Sequence, residues 1–223
     1  MTDCIPVITL DGPAASGKGT IASRVADALG FHYLDSGALY RIATLDALSK
    51  GIDLDDAQAL TAAAQGLSPV FEGGRIHLDG RDVTTAIRAE EVSSATSRVA
   101  VVPGVRAALF ALQKNAARLP GLVADGRDMG TVVFPEAPLK VFMTATARVR
   151  AERRYCQLLE RGETADLEAL TADLEERDRR DSQRATAPLK PAEDARLLDT
   201  SCMGIEEVVK KVLEWWDETK KLS

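Results

Sequence analysis

The stretch ITLDGPAASGKGT, Ile8 to Thr20, is an apolar run stopped by an acidic residue, followed by a glycine-bounded loop ending in lysine, glycine and threonine. Gly12, Pro13, Ala14, Ala15, Ser16, Gly17 and Lys18 follow the spacing G-x-x-x-x-G-K, in which glycines let successive backbone N–H groups turn around an anion. Lys18 adds a point charge for the outer phosphates of a nucleoside triphosphate. A helix starting there aims its unpaired amides at the same place. The residue after the lysine is Gly19, where the common motif carries a magnesium-binding hydroxyl, and the hydroxyl arrives one place later at Thr20. That shift puts direct metal ligation from the loop in doubt. Asp125 closes a second apolar run as a carboxylate that orients magnesium or its waters does; its simpler role is a turn-forming aspartate before glycine.

The acceptor of the phosphoryl group is indicated by arginine. Nine arginines and no lysine lie between Arg148 and Arg184, together with ten acidic residues. Arginine in place of lysine points to planar, two-pronged contact with phosphate or carboxylate. The plainer reading is a pair of solvated helices laced by ion pairs such as Glu176 to Arg180. Arg177, Asp181 and Arg184 are spaced to share one helical face if the helix runs that far. Arg41 follows DSGALY, and Arg127 lies in ADGRDMG just beyond a strand end, where open α/β sheets place ligands. His32 and His77 fall in predicted strands and read as packing or surface residues, so no general base emerges. A phosphate acceptor is already anionic at neutral pH, and an enzyme for it mainly positions two polyanions and offsets their repulsion.

These residues require a scaffold of alternating elements. Strands are expected at Ile5 to Leu10, Phe31 to Leu34, Leu122 to Asp125, Leu139 to Thr144 and Arg196 to Asp199. Helices are expected at Lys18 to Leu29, from a Ser36 cap to Lys50, from an Asp53 cap, at Ala89 to Val99, Pro103 to Leu119, Thr146 to Arg161, Asp166 to about Arg180, and Ile205 to Lys221. VFEGGRIHLDGRDV, Val70 to Val83, reads as an antiparallel meander with turns at Gly73-Gly74 and Asp79-Gly80. The alternation predicts an α/β fold with a parallel sheet flanked by helices on both faces, and the meander marks a small inserted lobe.

At 223 residues one compact domain is the default, and 45 % apolar with 28 % charged residues is an ordinary globular balance. A net charge of −6 argues against broad nucleic-acid binding, so any anion site is local. Three cysteines, Cys4, Cys156 and Cys202, make neither a disulfide framework nor a zinc knuckle. An acidic start without a membrane-length apolar run predicts a soluble, unprocessed, cytoplasmic protein with no membrane partner.

The segments DGPAASGKGT, YLDSGALYR, LDGRDVT, IRAEEVSSATSRVA, GLVADGRDMGTVVFP and ERDRRDSQRATAPL together resemble the bacterial cytidylate kinases, over the whole chain. The G-K-G-T ending is also similar to the nucleoside monophosphate kinases at large. The resemblance implies a P-loop nucleoside monophosphate kinase fold, with the parallel core at 1–35, 111–147 and 186–223. It also implies a monophosphate-binding lobe, containing the antiparallel sheet, at about 36–110, and a helical lid at about 148–185. It implies direct transfer of the γ-phosphoryl of ATP to CMP, and to dCMP, with Mg2+, by a monomer. Gly12 to Thr20 would hold ATP, helped by Arg153 and Arg154 from the lid. Lys18, Arg127, Arg184 and Arg154 would be catalytic. Arg41, Arg127 and Arg184 would grip the CMP phosphate, Arg177 and Asp181 the ribose, and Ser97, Arg106 and Asp128 the base, with Ser36 and Tyr40 lining the same pocket. Thr20 and Asp125 would serve magnesium, through water or directly. A carboxylate plus an arginine complements cytosine, which donates at N4 and accepts at N3 and O2, whereas uracil would leave those groups mispaired. The alternatives at this point are a kinase for another monophosphate or small metabolite, and a P-loop nucleotide switch. The sequence has no N-K-x-D segment of the kind that selects guanine.

Overall fold

The computed structural model describes residues 5–72, 74–160, 162–184 and 186–222; expectations touching Met1 to Cys4, Gly73, Arg161, Ala185 or Ser223 lie outside them. In chain order the elements are β1 (Val7–Asp11), α1 (Lys18–Leu29), β2 (His32–Asp35), α2 (Ser36–Ser49), α3 (Ala57–Gln65), β3 (Val70–Glu72), β4 (Arg75–Leu78), β5 (Arg81–Asp82), α4 (Glu90–Val99), α5 (Pro103–Asn115), β6 (Leu122–Gly126), β7 (Leu139–Thr144), α6 (Ala147–Glu160), α7 (Leu167–Gln183), β8 (Arg196–Asp199) and α8 (Ile205–Leu222). A 3-10 turn spans Ala86–Arg88 and a π-helical turn spans Met129–Val133. The chain divides into two compact units, residues 1–34 with 116–223, and residues 35–115.

The first unit is built on a five-stranded sheet in the order β2-β6-β1-β7-β8. β1 pairs in parallel with β6 and with β7, and β7 in parallel with β8. Every residue of β1 and of β6 is buried, as expected of parallel strands covered on both faces. Ile21, Ala22, Val25 and Ala26 of α1 and Val208, Val209, Val212 and Trp216 of α8 share one core cluster with Ile8, Leu10, Val123, Leu139, Val141, Met143 and Leu198. The Phe31 ring meets Trp216 edge-on, with centroids 5.8 Å apart. Gly30, at φ 65, ends α1 and turns the chain toward β2.

The second unit packs α2 to α5 around buried Leu39, Ile42, Leu60, Ile87, Val92, Val99, Val105 and Leu109. Its three strands are antiparallel in the order β3-β4-β5. The reversal into β5 uses Asp79 and Gly80, both at positive φ. Gly73, half of the other expected turn, is not among the described residues.

Several local expectations are corrected. Asp35, not Ser36, caps α2: its carboxylate accepts the Ala38 N–H at 2.9 Å, and Ser36 is the first helical residue. A carboxylate at that place also answers the positive end of the helix. Asp56, not Asp53, caps α3 by accepting from Gln58 and Ala59, while Asp53 accepts the Asp55 N–H in the preceding turn. α5 stops at Asn115; Pro120 disfavours helical backbone at Leu119, the expected end. α7 continues past Arg180 to Gln183, and Asp166 caps it as expected. Thr146 Oγ1 accepts the Val149 N–H at 3.3 Å at the start of α6. No single helix among the described residues is long and apolar enough to cross a membrane.

Trp216 is 6 % exposed at the centre of the α8 contact. Trp216→Ala should lower the unfolding free energy by about 3–5 kcal/mol, measured as a fall in the urea midpoint with an unchanged slope.

Candidate active site

The loop between β1 and α1 is shaped by three backbone constraints. Gly12 passes so close to β7 that a Cβ there would stand 2.3 Å from the Met143 carbonyl oxygen. Ala15 at φ 56 and Gly17 at φ 84 take left-handed conformations, which turn backbone amides to one side of the loop. Gly17 is the N-cap of α1 and gives no side-chain cap, and the first turn carries no acidic residue. The helix therefore presents its N-terminal amides without a carboxylate of its own over them. Ser16 Oγ is buried without a hydrogen-bond partner. Lys18 is buried, and its Nζ donates to the Pro13 carbonyl at 3.1 Å, across the loop. A buried hydroxyl lacking an acceptor, a lysine folded into the loop and an uncapped helix start fit a polyphosphate chain.

Two helices support this loop. Ala14 and Ala15 pack on Ala151 of α6 and on Leu167, Leu170 and Leu174 of α7. Arg150, 2 % exposed, donates to the Ala14 carbonyl at 3.0 Å and the Ala145 carbonyl at 2.9 Å, and is paired with Asp178 of α7. Arg153, expected to reach ATP, donates to the Ser16 carbonyl at 3.3 Å and to the Thr200 carbonyl at 2.5 Å. Arg154 is half-buried one position on. Arg148, Arg179 and Arg180 make the surface ion pairs of the plainer reading, with Glu152, Glu168 and Glu176.

The neighbouring strand supplies a second group. The register Leu10↔Asp125 and Asp11↔Gly126 sets the end of β6 beside the start of the loop. Asp125 is 4 % exposed and accepts from Tyr33 Oη at 2.6 Å. A Cβ on residue 19 would lie 3.3 Å from both Asp125 Oδ2 and Tyr33 Oη. The carboxylate and hydroxyl thus crowd the place where the common motif has its serine or threonine. Thr20 is exposed. Among the described residues no three His, Cys, Asp or Glu side chains cluster as metal ligands. One carboxylate and one hydroxyl fit a magnesium ion that keeps most of its water, not a protein cage.

Beyond β6, Arg127 Nε donates to Asp181 Oδ2 at 2.8 Å, both side chains being mostly buried. Arg184 Nε donates to the Asp181 carbonyl at 3.2 Å. Arg184 is the C-cap of α7, not a residue on its face, yet Arg127, Arg177 and Arg184 all lie within electrostatic reach of the one carboxylate. Burial pushes the Asp181 carboxyl up, but the guanidinium groups of Arg127, Arg184 and Arg177 prevail and hold it below the usual aspartate range. Three guanidinium groups thus converge on this one carboxylate.

Ser36, Tyr40, Arg41, Ser97 and Arg106 belong to the second unit. Ser36 and Tyr40 are buried. Arg41 pairs with Asp35 at 2.6 Å, and its Nε is buried without a hydrogen-bond partner. Arg106 stacks over the Tyr40 ring at 5.8 Å, and Ser97 Oγ donates to the Ser94 carbonyl at 3.0 Å. Asp128, 3 % exposed, stands in the first unit just after Arg127. Sequence reasoning missed Tyr33, Arg150 and the partners of Asp11. Of these only Asp11 left a local signal, an acid closing an apolar run.

A glycine loop at the carboxyl end of the central strand, a lysine folded into it and an arginine group on the adjoining strand and helix define a P-loop phosphotransferase of the nucleoside monophosphate kinase fold. A family model described as cytidylate kinase matches residues 8–218. The chain belongs to the cytidylate kinase family. It is 56 % identical over 211 residues to the cytidylate kinase of Paraburkholderia phymatum, covering 95 % of this chain and 92 % of the relative. It is 54 % identical over 217 residues to that of Cupriavidus pinatubonensis, covering 97 % and 98 %. Among solved structures, an uncharacterized protein from Eubacterium ventriosum is similar at TM-score 0.52 and 11 % identity, covering 96 % of this chain and 99 % of that one. A gluconokinase from Sinorhizobium meliloti is similar at TM-score 0.50 and 16 % identity, covering 97 % and 95 %. Those two share the fold alone.

A carboxyl whose folded pKa is depressed stabilises the fold above its unfolded value and loses that contribution as pH falls through the folded one. Asp181→Asn should therefore be less stable than the native protein at pH 7, and the deficit should shrink as pH drops below the ordinary value of 3.8. Denaturant titrations at pH 7 and pH 3 measure the two gaps.

Proposed function

We propose that the protein transfers the γ-phosphoryl group of ATP to CMP, and to dCMP, in one direct in-line step. The observation that carries the reading is the pairing, within one compact unit, of a phosphate loop holding a buried lysine with a separate arginine group at Arg127, Arg177 and Arg184. A hydrolase or switch needs the first feature only, whereas a kinase for an anionic acceptor uses both.

In this reading the loop from Gly12 to Thr20 receives the phosphates of ATP on its amides, and Ser16 Oγ gains an acceptor. Lys18 exchanges the Pro13 carbonyl for phosphate oxygens and neutralises charge on the transferred group. Arg41, Arg127 and Arg184 hold the acceptor phosphate, which attacks without a general base because it is already ionised. Arg177 and Asp181 hold the ribose; Ser97, Arg106 and Asp128 select cytosine; Ser36 and Tyr40 line that pocket. Asp125 and Thr20 would hold Mg2+, directly or through water, and the ion would supply charge neutralisation at the phosphates. Segment 148–185 serves as a lid, with Arg154 the arginine that reaches the donor while Arg153 braces the loop backbone. The lid excludes water that would otherwise hydrolyse ATP. The enzyme works as a cytoplasmic monomer.

The test is ADP release with CMP, dCMP, UMP, AMP and shikimate as acceptors. CMP and dCMP should be consumed fastest, and turnover of shikimate with none of CMP would overturn the reading. Lys18→Ala should reduce kcat by about a hundredfold to a thousandfold with an unchanged circular dichroism spectrum; native kinetics in the folded variant would contradict the assigned role. Asp128→Asn should lower the CMP-over-UMP preference more than it raises the KM for ATP.

A further inference from the structure

Asp11 stands where β1 ends and the phosphate loop begins, is 5 % exposed, and has no part in the scheme above. Its Oδ1 accepts the Met129 N–H at 2.9 Å and its Oδ2 accepts the Gly130 N–H at 2.8 Å, across 118 and 119 residues of sequence. Those amides open the π-helical turn Met129–Val133, whose own N-cap residue, Asp128, makes no side-chain cap bond. A cap is ordinarily supplied by the residue beside the turn; here it comes from another strand. The turn also lies directly on β1, since a Cβ on residue 130 would stand 2.8 Å from Thr9 Oγ1.

We propose that Asp11 is a positioning residue: its two carboxylate oxygens pin the Arg127–Asp128 segment to the strand from which the phosphate loop springs, registering the acceptor-holding side chains on the donor-holding loop. The role rests on the reading that Arg127 and Asp128 bind the acceptor. Only a carboxylate can accept from two N–H groups with two equivalent oxygens; an asparagine would turn an NH2 toward one of them. A carboxylate is costly to bury at this place. Burial pushes its carboxyl up to about 6, against the pull of the Gly130 and Met129 amides, with Asp128 pushing further and Lys18 pulling back.

The experiment uses Asp11→Asn in the full-length protein. The KM for CMP should rise about tenfold and the ratio of kcat/KM for CMP over UMP should fall, while the Kd for ATP measured without CMP stays within about twofold, because misplacing a positioning contact by an ångström or less costs on that scale. A KM for CMP within twofold of native, or an equal rise in the ATP Kd, would overturn the proposal. Arg127→Ala separates the two levels. If it raises the KM for CMP while Asp11→Asn does not, Asp11 has no positioning role; if it too leaves that KM unchanged, the acceptor reading itself fails. Should Asp11→Asn not fold, the native protein decides by NMR. The Met129 and Gly130 amide protons should shift with the same midpoint as the Asp11 carboxyl carbon, and amides that stay still while the carboxyl titrates would refute the contact.

Discussion

Backbone amides can face an anion only where the chain around them is held open, and here that opening begins with the passage of Gly12 against the Met143 carbonyl. Ala15 and Gly17, both left-handed, complete the turn; glycine adopts that backbone freely, whereas Ala15 must be held in it by its neighbours. The support is visible. Ala14 and Ala15 bury their methyl groups on α6 and α7, and Arg150 and Arg153 tie the carbonyls of Ala14 and Ser16 to the same region. The Ala14 and Ser16 carbonyls of the loop are thus bound by guanidinium groups.

The sheet order explains why the two charged groups share a unit. β1 is central, and its parallel partners β6 and β7 end on the same side. The last residues of β6 and whatever follows them must then lie beside the phosphate loop, as Asp125, Arg127 and Asp128 do. Crevices at strand carboxyl ends are where open α/β sheets hold ligands. In a chain with net charge −6 the positive potential is local, made by a loop and a few arginines.

Much of the scaffold was legible in the sequence because its signals are local. Apolar runs marked β6, β7 and β8, and Gly30 marked the end of α1. The loop motif gave its own strand and helix. Cap choice was less legible: Asp35 beside Ser36, and Asp53, Asp55 and Asp56 together, are equally good cap formers, and only tertiary packing selects among them. The site was legible as residue types and not as pairs. Nothing local to Arg150 says that it meets Ala14, 136 residues away, or that Tyr33 meets Asp125 across 92. Spacing did set Arg177, which acts on Asp181 one turn on, apart from Arg180, which pairs with Glu176 at the surface, but it could not show that Arg127 meets the same aspartate. Such distinctions come from fold topology, which brings residues distant in sequence to neighbouring strand ends.

The account's central claim is that one site gathers two mutually repelling nucleotides in line. The most direct measurement is calorimetric binding of a molecule that joins adenosine and cytidine through a five-phosphate chain. The account predicts a single site, affinity well above that of either nucleotide alone, and competition with both ATP and CMP. Affinity no greater than that of ATP, with CMP still binding alongside, would contradict it.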